Sequence, residues 1–237
     1  MKTVFATFID HQKEIGFPVD FLQSVNPDLI VFCSDIENQL KPNWMVASVK
    51  IFQPNDISNA QNWCIDHLFK QGYDFIVWQQ ADIYITPIGE KIISEFIKPE
   101  NIGKTMSLRT TMLRLFHHCG FTDFGVNVIG REAWTSPNNK FSGDGAYLGT
   151  GGANTNPTLD AAIDIGYLTI DQARNHIKQH KKTWQAEDNI VDLPDAEFVK
   201  ALVKRHNVYG MIDLDSFNSI VQLMKLESEF EKIKSII

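Results

Sequence analysis

Short apolar runs alternate with helical patterns along the first hundred residues of the chain. Runs rich in β-branched and aromatic residues predict strands over residues 4–9, 29–33, 45–52 and 75–78. Apolar residues at helical spacing predict helices over residues 18–25 and 59–71. This β-α-β-β-α-β order predicts an α/β fold with a Rossmann-like, mostly parallel sheet flanked by helices.

The chain after residue 84 adds one strand and several helices. Apolar spacing predicts helices over residues 85–97, 171–180, 195–206 and 215–236, and the threonines at 110 and 111 favour a strand over residues 105–116. The composition shifts at residue 187, after which no chemical motif follows. We therefore expect a main domain, residues 1–186, and a C-terminal helical appendage, residues 187–237, that packs on it or mediates a homodimer.

The strand at residues 75–78 and the polar residues that follow it organise the chain. In open α/β sheets, ligands bind beyond the carboxyl ends of the strands. Asp82 is thus a carboxylate at the edge of the predicted pocket, where it can bind a hard divalent cation that in turn holds a diphosphate. The alternative is a structural turn, in which Asp82 caps the next helix or is solvated.

Composition narrows the class of protein. The 237 residues are 43% hydrophobic and 22% charged, as in ordinary globular domains, and the formal net charge of -7 argues against a broad nucleic-acid interface. No apolar run reaches the roughly 18 residues that span a bilayer, and the N-terminus has the pattern of a strand rather than a signal peptide. Cys33, Cys64 and Cys119 show neither metal-ligand nor disulfide spacing, so we expect a cytoplasmic protein.

Two motifs give the chain a resemblance to a known family. Ala-Gln-Asn at residues 60–62 lies in a predicted helix, and the next strand ends in Gln-Ala-Asp at residues 80–82. The arrangement resembles GT-A-fold glycosyltransferases, most closely the large family-two-like group, in which an Ala-Arg-Asn element precedes a strand ending in Asp-x-Asp. Gln61 replaces the arginine and Gln80 replaces the first aspartate, while Asp82 keeps the aspartate that most directly meets the metal.

The resemblance implies transfer of a sugar from a nucleotide-sugar donor to an acceptor hydroxyl, with inversion at the anomeric carbon. It makes residues 1–186 the nucleotide-sugar-binding catalytic domain. The donor would be bound by residues at the ends of the first two strands, on the helix and beyond the central strand: Thr7, Phe8, Ile9, Asp35, Asn62 and Gln80. The acceptor would be a glycan, a lipid carrier, a protein or a modified nucleic-acid base.

The same resemblance implies a Mn²⁺ or Mg²⁺ ion that offsets the charge building on the leaving diphosphate. Asp82 would bind this ion and His180 would complete its ligands, because a late histidine does so in many GT-A enzymes. Residues 158–167 resemble the helix that begins with the general base, for which Asp160 and Asp144 are the two candidates. An inverting transfer needs one such carboxylate to take the proton of the attacking hydroxyl.

Two other functions stay open on the sequence. A nucleotidyltransferase shares an α/β nucleotide fold, although residues 10–16 lack the glycine- and lysine-rich density expected after its first strand. A non-catalytic nucleotide-sugar or glycan-binding module is favoured by the missing first aspartate of Asp-x-Asp. Tight donor binding without turnover would identify such a module.

Overall fold

The computed structural model describes residues 1–9, 17–34, 41–47, 56–142, 147–148, 154–184, 189–205, 222 and 224–237. The strands are β1 (Thr3–Ile9), β2 (Ile30–Cys33), β3 (Trp44–Val46), β4 (Phe75–Gln79), β5 (Ile83–Ile85), β6 (Thr105–Arg114), β7 (His117–Gly130), β8 (Phe141–Ser142), β9 (Tyr147–Leu148), β10 (Thr155–Asn156) and β11 (Ala162–Asp164). The α-helices are α1 (Phe17–Val25), α2 (Asp56–Lys70), α3 (Pro87–Phe96), α4 (Ile170–Trp184), α5 (Asp195–Arg205) and α6 (Glu227–Ile236). Short 3₁₀ turns cover Pro99–Asn101, Ala133–Thr135, Pro137–Asn139 and Asn189–Asp192.

The described residues form two compact units. The first comprises residues 1–110 and 122–163, and the second comprises residues 111–121 and 164–237. The second unit therefore contains the tip of the β6–β7 hairpin together with helices α4, α5 and α6. The sequence-based division at residue 186 stays a prediction.

A mixed sheet joins the strands in the order β3-β2-β1-β4-β7-β6-β11-β5, with β10 beside β6. Strands β1 to β4 pair in parallel, whereas β7 runs antiparallel to β4. The expectation of a mostly parallel sheet is therefore wrong. The reason is the two-residue turn at Leu115 and Phe116, where the chain has positive φ angles of 50° and 61°. So short a turn joins only antiparallel strands, and β6 and β7 form a hairpin rather than a crossover unit.

The two faces of the parallel strands pack against different helices, because successive side chains of a strand point to opposite faces. Ile76 and Trp78 of β4 belong to a core cluster with Cys64 and Leu68 of α2. The intervening Phe75 and Val77 belong to a second cluster, whose members from α3, β5, β6, β7 and β11 include Ile93. All of β4 is buried, as its continuous apolar run predicts.

Helix α3 begins two residues later than its apolar spacing predicts. Ile85 ends the short strand β5, and Thr86 is the N-cap: its Oγ1 accepts a hydrogen bond from the Gly89 N–H at 3.3 Å. Pro87 follows at the first helical position, where a missing N–H costs nothing. The cap is Thr86 rather than Asp82, which leaves Asp82 outside the helix.

Two other predicted helices are corrected by residues in the left-handed region. Asp160 has φ 58°, so residues 158–167 form a turn followed by β11 instead of a helix. Lys225 has φ 54° and interrupts the predicted helix over residues 215–236, in which residue 222 and α6 are helical. Residues 48–52 of the third predicted strand and residues 215–221 lie outside the described residues. The other predicted strands and helices are confirmed, with ends shifted by a few residues.

Charged contacts within the second unit differ in their burial. Arg114 Nη1 donates to Asp164 Oδ2 at 2.7 Å, and these side chains are 13% and 10% exposed. The guanidinium of Arg114 also stacks 3.8 Å from the ring centroid of Tyr167. At the surface, Asp195 of α5 accepts hydrogen bonds from Arg174 of α4 and Lys232 of α6, each at 3.0 Å.

Candidate functional site

The strand order reverses between β1 and β4. From β1 the chain proceeds to β2 and β3 on one side, and then returns to place β4 on the other side of β1. Ala6 aligns with Trp78, so the carboxyl ends of the two parallel strands, Ile9 and Gln79, lie at the same edge of the sheet. Open α/β sheets bind ligands at this kind of switch point, because the connections leave the two strand ends in opposite directions and open a crevice.

A firmly held turn carries Gln80 and Asp82 at this edge. The Gln80 N–H donates to the carbonyl of Gly125 on β7 at 2.9 Å, and the Ile83 N–H donates back to the Gln80 carbonyl at 3.2 Å. The buried side chain of Gln79 spans the turn, with Nε2 donating to the Ile83 carbonyl at 3.1 Å. Asp82, half-buried, is thus fixed beyond the carboxyl end of β4, where the sequence predicts a ligand-binding carboxylate.

Tyr84 adds a neutral phenol next to this turn. It lies in β5, and its ring packs edge-on against Phe21 of α1 at a centroid distance of 5.5 Å. Burial, and secondarily the charge of Glu90, raise the pKa of the Tyr84 hydroxyl above its usual value. The phenol therefore stays protonated at neutral pH.

The three predicted donor-binding residues of β1 have buried side chains. Phe8 belongs to the α2 side of the core, and Ile9 is 4% exposed. Thr7 is fully buried, and its Oγ1 has no hydrogen-bond partner within the described residues. Of these three side chains, Thr7 alone has a polar atom, and it lies two residues before the end of β1.

Asn62 uses both polar atoms of its amide on the backbone of Phe141. Its Nδ2 donates to the Phe141 carbonyl at 3.1 Å, and its Oδ1 accepts from the Phe141 N–H at 2.9 Å. This pair ties α2 to β8, immediately before the glycine-rich residues 143–153. The contacts give Asn62 a role in holding β8 against α2.

The candidate general base Asp160 lies at the far end of β5 from Asp82. Its carbonyl accepts a hydrogen bond from Thr86 Oγ1 at 2.6 Å. Thr86 follows Asp82 by four residues of nearly extended chain, a span of about 13 Å at 3.3 Å per residue. Asp144 and Asp35 lie outside the described residues. His180 lies in α4 of the second unit, and the structure describes its backbone but not its side chain.

Within the described residues, no three His, Cys, Asp or Glu side chains lie close enough together to hold a metal ion. Asp82 supplies one carboxylate at the switch point. Mg²⁺ is commonly bound by one or two carboxylates together with substrate phosphates and water. The described donors thus fit a cation shared with a bound diphosphate, rather than one held by the protein alone.

Sequence reasoning missed the part that Gln79 plays. The signal was present: a glutamine ends an otherwise apolar buried strand, and a buried polar side chain requires a hydrogen-bond partner. Its partner, the Ile83 carbonyl, lies across the turn that carries Asp82. Gln79 therefore acts on the candidate site through the shape of the turn.

No protein-family model matches the chain, and no curated protein does. Among solved structures, the chain is similar to a candidate nucleotide-diphospho-sugar transferase of Desulfovibrio desulfuricans G20, with 10% identity, a TM-score of 0.42, and coverage of 87% of this chain and 99% of that one. It is similar to a candidate glucose-1-phosphate thymidylyltransferase of Bacillus anthracis, with 9% identity, a TM-score of 0.42, and coverage of 78% and 96%. A cytidylyltransferase of Leptospira borgpetersenii serovar Hardjo-bovis shows 12% identity, a TM-score of 0.41, and coverage of 90% and 99%.

These similarities assign neither a family nor a reaction, since every identity is far below 25% and every TM-score is below 0.5. The three proteins are named as nucleotide-diphospho-sugar, thymidylyl and cytidylyl transferases. In the part of the chain that is described, no helix is both long enough and apolar enough to cross a membrane.

Proposed function

We propose that this chain is a glycosyltransferase that moves a sugar from a nucleotide-sugar donor to an acceptor hydroxyl. The observation that carries the proposal is the reversal of strand order between β1 and β4, with a braced turn presenting Asp82 at that edge. A crevice of this kind accommodates a nucleoside diphosphate. The motifs that resemble family-two-like GT-A enzymes fall on α2 and on this turn.

Asp82 would hold the cation that the resemblance implies. When bound, Mn²⁺ or Mg²⁺ supplies positive charge to the diphosphate as it leaves. The backbone N–H of Gln80 already donates to the Gly125 carbonyl. The side-chain amide of Gln80 is therefore the group that would bind the ribose or a phosphate. Gln79 holds the turn that positions both residues.

The transfer itself needs one carboxylate beside the acceptor. The acceptor oxygen forms a bond to the anomeric carbon, the bond between that carbon and the diphosphate oxygen breaks, and the hydroxyl proton passes to the carboxylate. Asp160 and Asp144 are the candidates for this base. Replacing the true base by asparagine removes turnover and keeps donor binding, which separates its role from that of Asp82.

The first experiment measures thermal stability with a panel of nucleotide sugars and nucleoside triphosphates, with and without Mn²⁺. A ligand bound only by the folded protein at 100 times its Kd stabilises by about 2.7 kcal/mol, or roughly 5–11 °C for a chain of this size. Asp82→Asn removes the proposed cation ligand. Asp123→Asn is the matched control, because Asp123 is also half-buried but pairs with Arg109 on β6.

The expected result is a Mn²⁺-dependent shift with one nucleotide sugar that is lost in Asp82→Asn and kept in Asp123→Asn. Release of nucleoside diphosphate on adding acceptors then establishes sugar transfer. Release of pyrophosphate from a nucleoside triphosphate and a sugar phosphate would instead identify a nucleotidyltransferase. Binding without either product would identify a non-catalytic module. If no nucleotide in the panel shifts the midpoint of thermal unfolding, the proposal is refuted.

A further inference from the structure

Tyr84 lies in β5, the strand that follows the turn with Asp82. Its neighbours Ile83 and Ile85 belong to the core cluster on one side of the strand. Because successive side chains of a strand point to opposite faces, Tyr84 points away from that cluster. Two residues separate Tyr84 from Asp82, so their Cα atoms are at most about 7 Å apart. Tyr84 is therefore a close neighbour of the proposed cation ligand.

The ring of Tyr84 marks the contact between the two chain segments that leave the switch point. The chain runs from β1 to α1, and from β4 through the turn with Asp82 to β5. Tyr84 packs edge-on against Phe21 of α1, with ring centroids 5.5 Å apart. The crevice of an open α/β sheet lies between such segments. A side chain at which the two segments touch therefore forms part of the wall of the crevice.

The hydroxyl of Tyr84 is available to a ligand, although the ring is held in place. Tyr84 Oη has no hydrogen-bond partner within the described residues, and it is not one of their buried polar atoms that lack a partner. The hydroxyl is thus accessible to solvent, while the residue as a whole is only 8% exposed. A packed ring with an accessible hydroxyl presents one hydrogen-bonding group in a fixed position.

The charge of Glu90 narrows the part of a nucleotide sugar that suits this hydroxyl. Burial, and secondarily the charge of Glu90, raise the pKa of Tyr84, so the carboxylate acts on the hydroxyl electrostatically. The same carboxylate would repel a phosphate placed at the hydroxyl. A sugar hydroxyl has no charge, and it can both donate a hydrogen bond to the phenol and accept one from it.

We propose that Tyr84 Oη forms a hydrogen bond with a hydroxyl group of the sugar in the nucleotide-sugar donor. This inference rests on the proposed function, and it assigns the sugar of that donor to the segment between Asp82 and Tyr84. The diphosphate lies at the cation beside Asp82, and the attached sugar extends toward β5. A donor sugar without the matching hydroxyl loses the bond, so Tyr84 contributes to the choice of sugar.

The test measures affinity by isothermal titration calorimetry, with Mn²⁺ present, for pairs of ligands that share a base. The pairs are UDP-glucose with UDP, GDP-mannose with GDP, and dTDP-glucose with dTDP. Tyr84→Phe keeps the ring against Phe21 and removes only the hydroxyl. Affinity for the nucleotide sugar should fall roughly 2- to 12-fold, the effect of one hydrogen bond between neutral groups, while affinity for the matching nucleoside diphosphate stays the same.

Tyr73→Phe is the matched control. Tyr73 is also a partly buried tyrosine of the first unit, but it lies two residues before β4, at the opposite edge of the sheet from Asp82. Its ring contacts the ammonium of Lys2, 4.1 Å from the centroid. Tyr73→Phe should bind both ligands of each pair as the wild type does. Tyr84→Phe should also keep the wild-type midpoint of thermal unfolding, because the lost hydroxyl has no partner within the described residues.

Equal losses of affinity for the nucleotide sugar and for the diphosphate would place the hydroxyl on a phosphate and overturn the inference. Unchanged affinity for the nucleotide sugar in Tyr84→Phe would overturn it too, while the proposed nucleotide site would stand. If the wild type binds neither ligand of any pair, the proposed function fails and the inference fails with it. The wild-type titration thus distinguishes the two failures.

Discussion

Replacing Asp164 by asparagine should destabilise the protein far more than the same change at Asp123. Both aspartates pair with an arginine of β6, but the pairs differ in burial. Arg114 and Asp164 are 13% and 10% exposed and 2.7 Å apart, whereas Arg109 and Asp123 are 33% and 31% exposed and 3.3 Å apart. Both pairs join an aspartate to an arginine of the same strand, so the comparison isolates the effect of how deeply the pair is buried.

The magnitude follows from the fate of the arginine. Removing one partner of a buried ion pair leaves an uncompensated charge and costs about 3–5 kcal/mol. The contacts of Arg114 with the Leu113 carbonyl and the Tyr167 ring remain, so we expect a loss near 3 kcal/mol, at the low end of that range. A half-exposed pair contributes about 0.2–1 kcal/mol, which is the loss expected for Asp123→Asn.

Urea unfolding, followed by circular dichroism, measures the difference. With an m-value of about 2 kcal/mol/M, the midpoint should fall by roughly 1.5 M in Asp164→Asn and by less than about 0.5 M in Asp123→Asn. Adding Arg114→Met to Asp164→Asn should recover much of the loss, because the orphaned charge is gone and the asparagine oxygen can still accept the Gly166 N–H. Equal losses in the two single variants, or further destabilisation in the double variant, would refute this account of the pair.

Two further predictions concern packing and pH. Gly130→Ala should destabilise the protein by about 2–3 kcal/mol, because its Cβ would lie 2.2 Å from a backbone carbonyl oxygen of residue 102. Gly103→Ala is the control: its Cβ would meet nothing nearer than 3.8 Å, so its urea midpoint should equal that of the wild type. Hydrogen bonds from Lys232 and Arg174 lower the pKa of Asp195 below its usual value, so its stabilising effect is present above the unfolded-state pKa and is lost as pH falls through the folded-state pKa. Asp195→Asn should therefore be less stable than the wild type at pH 7 and equal to it below the folded-state pKa; a difference independent of pH would contradict the assignment.

The central strands were predictable because their signal is local. Residues 75–78 are apolar without interruption, and a strand buried on both faces needs only that composition and a glycine before it. The antiparallel direction of β7 was not predictable. It depends on a turn made by Leu115 and Phe116, two bulky residues with positive φ, where turn chemistry favours glycine or asparagine. The helix predicted over residues 158–167 is wrong for a similar reason. Asp160 adopts a left-handed conformation that the surrounding sequence does not predict.

Some residues of the candidate site could likewise be predicted from the sequence, and others could not. The position of Asp82 follows from chain order alone, since any residue after β4 must lie at the carboxyl edge. The hydrogen bonds of Asn62 with Phe141 join residues 79 positions apart. The periodicity of a sequence does not predict such a contact between a helix and a distant strand. A cavity in the first unit is lined by residue 96, residues 103–106, residue 139 and residues 154–157, which are distant in the sequence. Only the tertiary fold brings these segments together.

The interrupted sequence of the second unit has a consequence for synthesis on the ribosome. The hairpin tip, residues 111–121, emerges long before residues 164–237, with which it forms one compact unit. Phe116 packs edge-on against Phe230 at a centroid distance of 5.1 Å. At about 5–20 residues per second, Phe230 is added roughly 6–23 s after Phe116. During that interval Phe116 has emerged without this partner, so its ring is available to a chaperone that shields apolar segments.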